Sequence, residues 1–172
     1  MTGRKETKKS LTPGFISEGM QFIADAMLGR LARWLRFLGF DVLYFPDISD
    51  SELVRIAREQ DRRILTRDTR LVKRKGLTQP LLITANDPLE QLMEVLGSAT
   101  MKSFTPLSRC VKCNSPLVPV HDKNEIADAV PEFVFLQYND FLRCTECGKI
   151  YWKGTHPEKF KEKIRDSIGK HR

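Results

Sequence analysis

The chain has 172 residues, of which 41% are hydrophobic, and a formal net charge of +7. Its size fits one ordinary domain, or one domain with a small appendage. No apolar run approaches the length of a transmembrane helix, and the polar, basic N-terminal stretch lacks the apolar centre of a secretory signal. The sequence therefore predicts a cytoplasmic protein with no membrane partner.

The positive charge is concentrated at the two ends of the chain. Residues 1–20 hold 4 basic and 2 acidic side chains, and residues 153–172 hold 7 and 3. Such ends are suited to salt-sensitive attraction to a polyanion such as RNA, although two solvated tails would show the same charges. Residues 1–19 have few apolar side chains and are predicted to be disordered, which makes Met20 a candidate for the start of the folded unit.

Strand-like and helix-like segments alternate four times between Gln21 and Gly97. Strands are predicted over 21–25, 41–45, 62–66 and 81–84, and helices over 28–39, 49–60, 68–75 and 87–97. Ser49 and Glu52 have capping-box spacing at the second helix, and Asp87, which precedes a proline, marks the start of the fourth. Short strands joined by helical crossovers predict an α/β fold, a parallel sheet with helices on both faces.

The first predicted helix is amphipathic. Its leucines fall on one side at helical spacing, and its arginines are expected to lie away from that side. The leucines are Leu28, Leu31, Leu35 and Leu38, and the arginines are Arg30, Arg33 and Arg36.

Two Cys-x2-Cys pairs lie in the C-terminal part of the chain. Their members are Cys110, Cys113, Cys144 and Cys147. The spacing lets both sulfurs of a pair face one ion, so the two pairs supply the four thiolates of a tetrahedral Zn²⁺ site with no open position, which predicts structural zinc. Gly148 permits a tight turn after the second pair. The alternatives are two disulfides, which a cytoplasmic setting disfavours, and a redox motif, which would have to occur twice. His121 and His156 are left out of the ligand set.

The residues after the cysteines allow two interpretations. Tyr151 and Trp152, flanked by two lysines, could stack on RNA, or they could form the apolar contact between the ribbon and the main domain. In the basic segment that follows, apolar side chains recur every four residues, which indicates a short docking helix.

Five acidic residues map to one edge of the predicted sheet. They are Asp25, Asp50, Glu52, Asp68 and Asp87. The carboxyl ends of parallel strands meet at one edge, where sites form, and carboxylates grouped there repel each other unless a hard cation such as Mg²⁺ or Mn²⁺ binds them. Such ions can activate water for phosphodiester hydrolysis. Residues 62–75, half of them Lys or Arg, could hold nucleic-acid phosphates across the acids.

Helix capping explains part of the same set of acids. Asp50, Asp68 and Asp87 stand at predicted helix starts, where Asp is a favoured cap. Asp87 fits the cap role best, and Glu52 could be the reciprocal partner of Ser49. Asp25 directly follows apolar residues, where an unpartnered charge is unfavourable, so Asp25 and Asp68 are the stronger site candidates. The sequence contains no Gly-rich nucleotide-binding motif and no nucleophile elbow.

These segments together resemble the Mut-seven C-terminal ribonuclease domain family. The resemblance rests on "IADAMLGRLARWLRFLGFDV", "SDSELVRIAREQDRRILTRDTRL", "LLITANDPLEQLMEVL" and "RCVKCNSPL…FLRCTECGKIYWKGTH", and it runs from about residue 21 to about residue 160. It implies a PIN-like nuclease domain fused to a four-cysteine zinc ribbon, and a metal-dependent ribonuclease activity.

The resemblance also implies roles for individual residues. Asp25 matches the first acid of PIN-like domains, Asp68 the acid of a T-x-D motif, and Asp50 the middle acid. Glu52 is a neighbouring candidate for the middle acid, and Asp87 falls near the fourth. By analogy Arg30 and Arg33 lie near the site entrance, and Arg67 and Arg70 contact phosphates.

Two functional hypotheses follow from the sequence. The first is a ribonuclease, with an endonucleolytic mode expected, in which Asp25, Asp50 and Asp68 hold Mg²⁺ or Mn²⁺. The second is a non-catalytic RNA- or ribosome-binding module whose acids only cap helices. A further option is a protein-interaction adaptor built on the ribbon, with other RNA-processing proteins as partners. Under the first hypothesis the chain divides into a disordered basic tail (1–19), a PIN-like nuclease domain (20–100), a zinc ribbon (101–157) and a basic C-terminal helix (158–172).

Overall fold

A parallel sheet forms the centre of the N-terminal half in the computed structural model, which describes residues 20–97 and 104–170. The tail predicted to be disordered lies outside the described residues. The sheet strands are β1 (Gln21–Ala24), β2 (Asp41–Tyr44), β3 (Arg63–Thr66) and β4 (Leu81–Leu82). All pairings are parallel and the order is β2-β1-β3-β4. The predicted α/β class, with a parallel sheet flanked by helices, is confirmed.

Helices cover both faces of this sheet. They are α1 (Gly29–Phe37), α2 (Asp50–Glu59) and α3 (Pro88–Leu96). Phe22 and Ala24 of β1 face a core shared with α1 and α3, whereas Ile23 faces a second core shared with α2. Successive side chains of a strand point to opposite faces, so the run "FIA" is buried throughout because both faces are covered.

One predicted helix of this half is wrong. The helix predicted over 68–75 is a single 3-10 turn, Leu71–Lys73, because Leu71 is its one buried residue and one apolar contact cannot offset the unfavourable nucleation of a helix. Arg36, which was expected to lie away from the leucine side of the helix, is only 4% exposed. Its helix face is covered by the cysteine ribbon, to which its guanidinium group donates hydrogen bonds.

The cysteine ribbon contains a second, antiparallel sheet. Its strands are β5 (Leu117–Pro119), β6 (Phe141–Cys144) and β7 (Ile150–Trp152), in the order β5-β6-β7. The long segment between β5 and β6 forms a 3-10 helix, Lys123–Ala129, and helix α4 (Glu132–Gln137). These pack Ile126 and Val134 against Phe141 in a small core, which gives the ribbon apolar packing of its own.

A final helix, α5 (Thr155–Lys170), returns to the first unit. The ring of Phe160 packs edge-to-face on Trp34 and Phe37, with centroid distances of 4.9 and 5.1 Å. Ile164 is fully buried in the core shared by α1 and α3. The docking helix expected from the apolar spacing is therefore present. None of the helices in the described residues is long and apolar enough to cross a membrane.

Candidate functional site

The hydroxyl group of Thr66 joins Asp25 to Asp68 at the carboxyl edge of the parallel sheet. Thr66 Oγ1 donates a hydrogen bond to Asp25 Oδ2 at 2.7 Å and accepts one from the backbone amide of Asp68 at 3.0 Å. The backbone amide of Asp25 donates a hydrogen bond to Leu65 O at 2.9 Å, which continues the pairing of β1 with β3. Thr66 is fully buried and both hydrogen bonds are partly buried, so they hold the Asp25 carboxylate and the Asp68 backbone in a defined relative position.

The carboxylate of Asp68 is held ionised by the turn that follows it. Its Oδ1 accepts a hydrogen bond from the backbone amide of Arg70 at 2.7 Å, and Arg70 Nε lies 3.5 Å away. The amide hydrogen bond is the main cause, and the Arg70 charge a further one, of a pKa of Asp68 below its usual value. The Arg70 side chain is 92% exposed, so its remaining donors face solvent.

Asp50 and Glu52 open α2 and have different partners. Asp50 Oδ2 lies 3.7 Å from Arg74 Nη2, and both side chains are exposed. Glu52 completes a capping box: its carboxylate accepts from the hydroxyl of Ser49 at 2.7 Å and from the Ser49 amide at 3.2 Å. The hydroxyl hydrogen bond is the main cause of the lowered pKa of Glu52. Glu52 is therefore engaged as a helix cap.

Asp87 is also engaged as a cap. Its Oδ1 accepts from the amides of Leu89 at 2.8 Å and Glu90 at 3.2 Å at the start of α3. The adjacent Asn86 accepts a hydrogen bond of 2.6 Å from Arg67 Nη2. This contact directs the guanidinium group of Arg67 across the edge of the sheet, toward the loop that precedes α3.

The three acids of the predicted cation site do not form a compact ligand group. Among residues 20–97 and 104–170, a single group of three or more His, Cys, Asp or Glu side chains has its ligand atoms within 4.8 Å of one another. That group consists of the four cysteines and includes none of the acids. The structure thus links the Asp25 carboxylate to the Asp68 backbone amide through one hydroxyl and leaves Asp50 beside Arg74. Mg²⁺ commonly binds through one or two carboxylates, with water and substrate phosphates as its other ligands, so the donor set of Asp25 and Asp68 fits such an ion.

The four cysteine sulfurs have the spacing of a zinc cage. Cys110 Sγ lies 3.7 Å from Cys147 Sγ, and Cys113 Sγ lies 3.3 Å from Cys144 Sγ. Four sulfurs placed tetrahedrally at the usual Zn–S distance would be about 3.8 Å apart. The described geometry therefore fits a Zn²⁺ ion held by four thiolates, a closed and structural site.

The two cysteine pairs sit on equivalent backbone turns. The carbonyl oxygen of Cys110 accepts from the amide of Asn114 at 2.9 Å, and that of Cys144 accepts from the amide of Gly148 at 3.2 Å. The fifth residue of each turn has a positive φ, 72° for Asn114 and 68° for Gly148. Both residue types tolerate this conformation. The sequence indicated this role for Gly148, and the matching position of Asn114 could have been found by aligning the two pairs.

Hydrogen bonds favour a thiolate at Cys113. Burial opposes its ionisation, but the amide and hydroxyl of Ser115 and the neighbouring thiol of Cys144 lower the pKa of Cys113 to about 6. Burial, together with the side-chain hydrogen bonds to Cys113 and Cys147, raises the pKa of Cys144 to about 12. A bound zinc ion would deprotonate all four thiols. Tyr151 supports the cage, with its hydroxyl 3.1 Å from Cys110 Sγ.

Asn114 and Asp41 attach the cage to the sheet. Asn114 Nδ2 donates to Asp41 Oδ1 at 2.8 Å, and the amide of Val42 donates to Asn114 Oδ1 at 3.0 Å. Arg62 and Arg109 pair with the same carboxylate at 2.7 and 3.2 Å. Burial opposes ionisation of Asp41, but the hydrogen bonds from Arg62 and Asn114 and the two arginine charges hold its pKa below the usual value. The ribbon thus covers β2, an edge strand of the sheet.

Arg36 completes this interface from α1. Its Nε donates to Val42 O at 2.8 Å, and its Nη1 donates to Lys112 O at 2.8 Å. Burial is the main cause of the lowered pKa of Arg36, although the nearby thiols of Cys110 and Cys113 raise it. Sequence reasoning did not find this network, because nothing in the local pattern distinguishes Arg36 from the exposed Arg30 and Arg33.

Trp152 belongs to the ribbon's own core. Its ring packs on Phe141 at a centroid distance of 6.5 Å. Tyr151, whose ring lies 5.8 Å from Lys149 Nζ, is half-buried against the cage. The sequence allowed either stacking on RNA or packing between the ribbon and the main domain. Both aromatic residues are packed, but mainly within the ribbon.

Fold and sites together define an α/β protein with acidic residues at the carboxyl edge of its sheet and a four-cysteine cluster that fits a metal ion. A family model described as the Mut7-C RNAse domain matches residues 20–164. Because the match covers most of the chain, the protein belongs to this family, whose description indicates a ribonuclease-related role with RNA as the substrate class. Neither the comparison with curated proteins nor that with solved structures found a match.

Proposed function

We propose that this protein is a metal-dependent ribonuclease of PIN-like type that hydrolyses RNA phosphodiester bonds at the carboxyl edge of its parallel sheet. The observation that carries the proposal is the Thr66 hydroxyl, which holds Asp25 and places Asp68. In a parallel α/β sheet this edge is where sites form. A cytoplasmic location, where thiols stay reduced for zinc, is part of the same proposal.

Asp25 and Asp68 would hold Mg²⁺ or Mn²⁺, with Asp50 as the third candidate ligand. When bound, the ion supplies an activated water and neutralises charge on the phosphate. Thr66 orients the carboxylate of Asp25, and the amide of Arg70 keeps Asp68 ionised. Asp50 would have to leave Arg74 to join them, which its exposure permits. Glu52 and Asp87 are occupied as helix caps and are not needed as ligands.

The arginines around this edge would bind the RNA backbone. Arg70 is exposed next to Asp68, and Arg67 is directed across the edge by Asn86. Arg30 and Arg33 are exposed on α1, which begins four residues after Asp25. Guanidinium groups bind phosphate through paired, charge-assisted hydrogen bonds. They would hold the scissile phosphate against the acids and oppose the negative charge that develops on it.

Cleavage of a labelled single-stranded RNA in Mn²⁺ tests the proposal. The wild type is expected to cleave, and Asp25→Asn and Asp68→Asn to lose most of the activity. Asp87→Asn is the matched control, because asparagine is an equally good cap and cleavage should persist. Metal dependence is tested by leaving Mn²⁺ out, since a chelator would also remove zinc. Cleavage by folded, nuclease-free Asp25→Asn at the wild-type rate would reject the assignment.

A non-catalytic RNA- or ribosome-binding module is the second candidate. It is favoured by how three of the acids are engaged. Asp50 pairs with Arg74, and Glu52 and Asp87 cap helices. This function predicts RNA binding that ignores divalent ions and weakens steeply with salt. It also predicts that Asp68→Asn binds RNA as well as the wild type and that neither protein cleaves it.

A further inference from the structure

A basic cleft of about 560 Å³ lies between the sheet unit and the cysteine ribbon. Its lining includes Gly29, Arg33, Arg36, Tyr44, Lys112 and Lys149. The volume falls in the range of ligand-binding clefts in proteins. Because both units contribute to its walls, this cleft exists only when the ribbon is docked on β2.

The cleft is lined by cations, and none of the described residues that line it is acidic. Arg33, Lys112 and Lys149 are exposed. Arg36 is buried, but its guanidinium group bonds to the carbonyl oxygens of Val42 and Lys112 and keeps its charge. Four positive charges around one concave surface favour an anionic ligand.

The cleft adjoins the segment that carries Asp25. Tyr44 is the register partner of Ala24 across β1 and β2, and its hydroxyl donates to Ala26 O at 3.0 Å. Tyr44, which forms part of the cleft wall, thus contacts the residues directly before and directly after Asp25. Gly29 makes this close packing feasible, because a Cβ at position 29 would lie 2.6 Å from the Tyr44 oxygen.

We propose that this cleft binds backbone phosphates of the RNA strand that is cut at Asp25 and Asp68, so that the zinc ribbon forms part of the substrate-binding surface. The inference rests on the proposed ribonuclease function. Lys112 lies inside the first cysteine turn, and Lys149 follows the glycine that ends the second. A zinc ion that fixes both turns would therefore also fix the two lysines that close the cleft on these phosphates.

The lysines could instead serve only to balance the thiolate charge of the cage. Lys149 also lies over the ring of Tyr151, which a purely local role would explain. The two roles differ in what they affect. Charge balance acts on zinc affinity and stability, whereas phosphate binding acts on RNA affinity and on its dependence on salt.

Fluorescence anisotropy with a fluorescein-labelled single-stranded RNA separates the two roles. Binding is measured on the zinc-loaded full chain carrying Asp25→Asn, so that cleavage does not interfere. Lys112→Gln/Lys149→Gln is compared with Lys159→Gln/Lys163→Gln, which removes the same charge from exposed positions on α5. Zinc content and thermal midpoint are recorded for each protein.

The cleft variant is expected to lower the slope of log K against log salt by about 1.4 and the affinity at 0.1 M salt about 25-fold, because each single-strand phosphate contact contributes roughly 0.7 to the slope. Arg33 belongs to α1 and lies outside both cysteine turns. Arg33→Gln should lower the slope by about 0.7 and the affinity about fivefold. If the lysine variant loses zinc, Lys112→Gln and Lys149→Gln are measured singly, each with an expected loss of affinity of about fivefold.

Equal losses in the cleft and control variants would overturn the proposal, as would no binding by the parent protein or an unchanged affinity of Arg33→Gln. Cleavage is assayed separately in the wild type. Absence of cleavage together with a cleft-specific loss of affinity would reject the nuclease and retain the cleft as an RNA-phosphate site.

Discussion

Asn114 of the first cysteine turn binds Asp41 and the backbone of Val42 on the edge strand of the parallel sheet, with hydrogen bonds of 2.8 and 3.0 Å. The same residue closes the turn that presents Cys110 and Cys113 to the metal. One buried side chain thus links the shape of the metal cage to the position of the ribbon on the sheet. It also links the cage to the basic cleft, because the cleft lies between those two parts.

Replacing Asn114 should destabilise the whole chain. Asn114→Gly keeps the positive φ but removes both side-chain hydrogen bonds, leaving the buried amide of Val42 without its acceptor. We expect a loss of about 1–3 kcal/mol in the free energy of unfolding, measured by urea denaturation of the zinc-loaded protein. Asn139→Ala, at an exposed position, should change it by less than about 0.5 kcal/mol. Equal stability of the two variants would contradict the linking role.

Thr66→Val should impair catalysis more than Thr66→Ser. Valine has the shape of threonine but cannot donate to Asp25 or accept from the amide of Asp68. If the proposed activity is present, we expect a fall of about 10- to 100-fold in RNA cleavage, typical of losing an orienting partner of a metal ligand. Serine restores the hydroxyl and should recover most of the rate. The assay is initial-rate cleavage in Mn²⁺, and a rate for Thr66→Val within twofold of wild type would exclude an orienting role.

Loss of a cage ligand should unfold the ribbon. Cys144→Ser removes a buried thiolate, and structural zinc sites supply much of the folding free energy of such small units. We expect the bound zinc per chain to fall below one and trypsin to cut within residues 104–154. Thr145→Ser, next to the ligand, should retain zinc and resist cleavage. A zinc-free Cys144→Ser protein that still resists trypsin would show that the small apolar core suffices.

Asp41 should contribute stability that disappears in acid. Its pKa in the folded state lies below the usual value of an aspartate, which is about 3.9. The folded state therefore favours the ionised form, and this contribution is complete above the unfolded pKa and is lost as the pH falls through the folded pKa.

Comparison of wild type with Asp41→Asn isolates this effect, since acid also weakens thiolate–zinc bonds in both proteins. The difference between their free energies of unfolding, from urea titrations between pH 3 and pH 7, should be constant above about pH 5 and should shrink below about pH 4. A difference independent of pH would mean that the carboxylate of Asp41 is not stabilised by Arg62 and Arg109.

Much of the architecture followed from local patterns in the sequence. The alternation of strand-like and helix-like segments between residues 21 and 97 correctly predicted the parallel α/β sheet, and the paired Cys-x2-Cys motifs predicted a cage whose sulfurs lie within 4.8 Å of one another. The prediction of a helix over 68–75 was wrong. The charged residues there have high helix propensity, but they bury too little apolar surface to stabilise a helix. The burial of Arg36 was missed because its covering surface is 75 residues away in the chain.

The sequence by itself determined the elements, the metal-ligand type and the sheet edge to which the acids belong, since each depends on spacing within a few residues. Tertiary structure alone decided which acids are joined and which serve as caps, and it assembled the network around Asp41 and the basic cleft. Those features depend on contacts between residues separated by 41 positions for Asp25 and Thr66 and by 73 for Asp41 and Asn114. Such contacts depend on how the folded units pack against one another, and the local periodicity of the sequence carries no information about that packing.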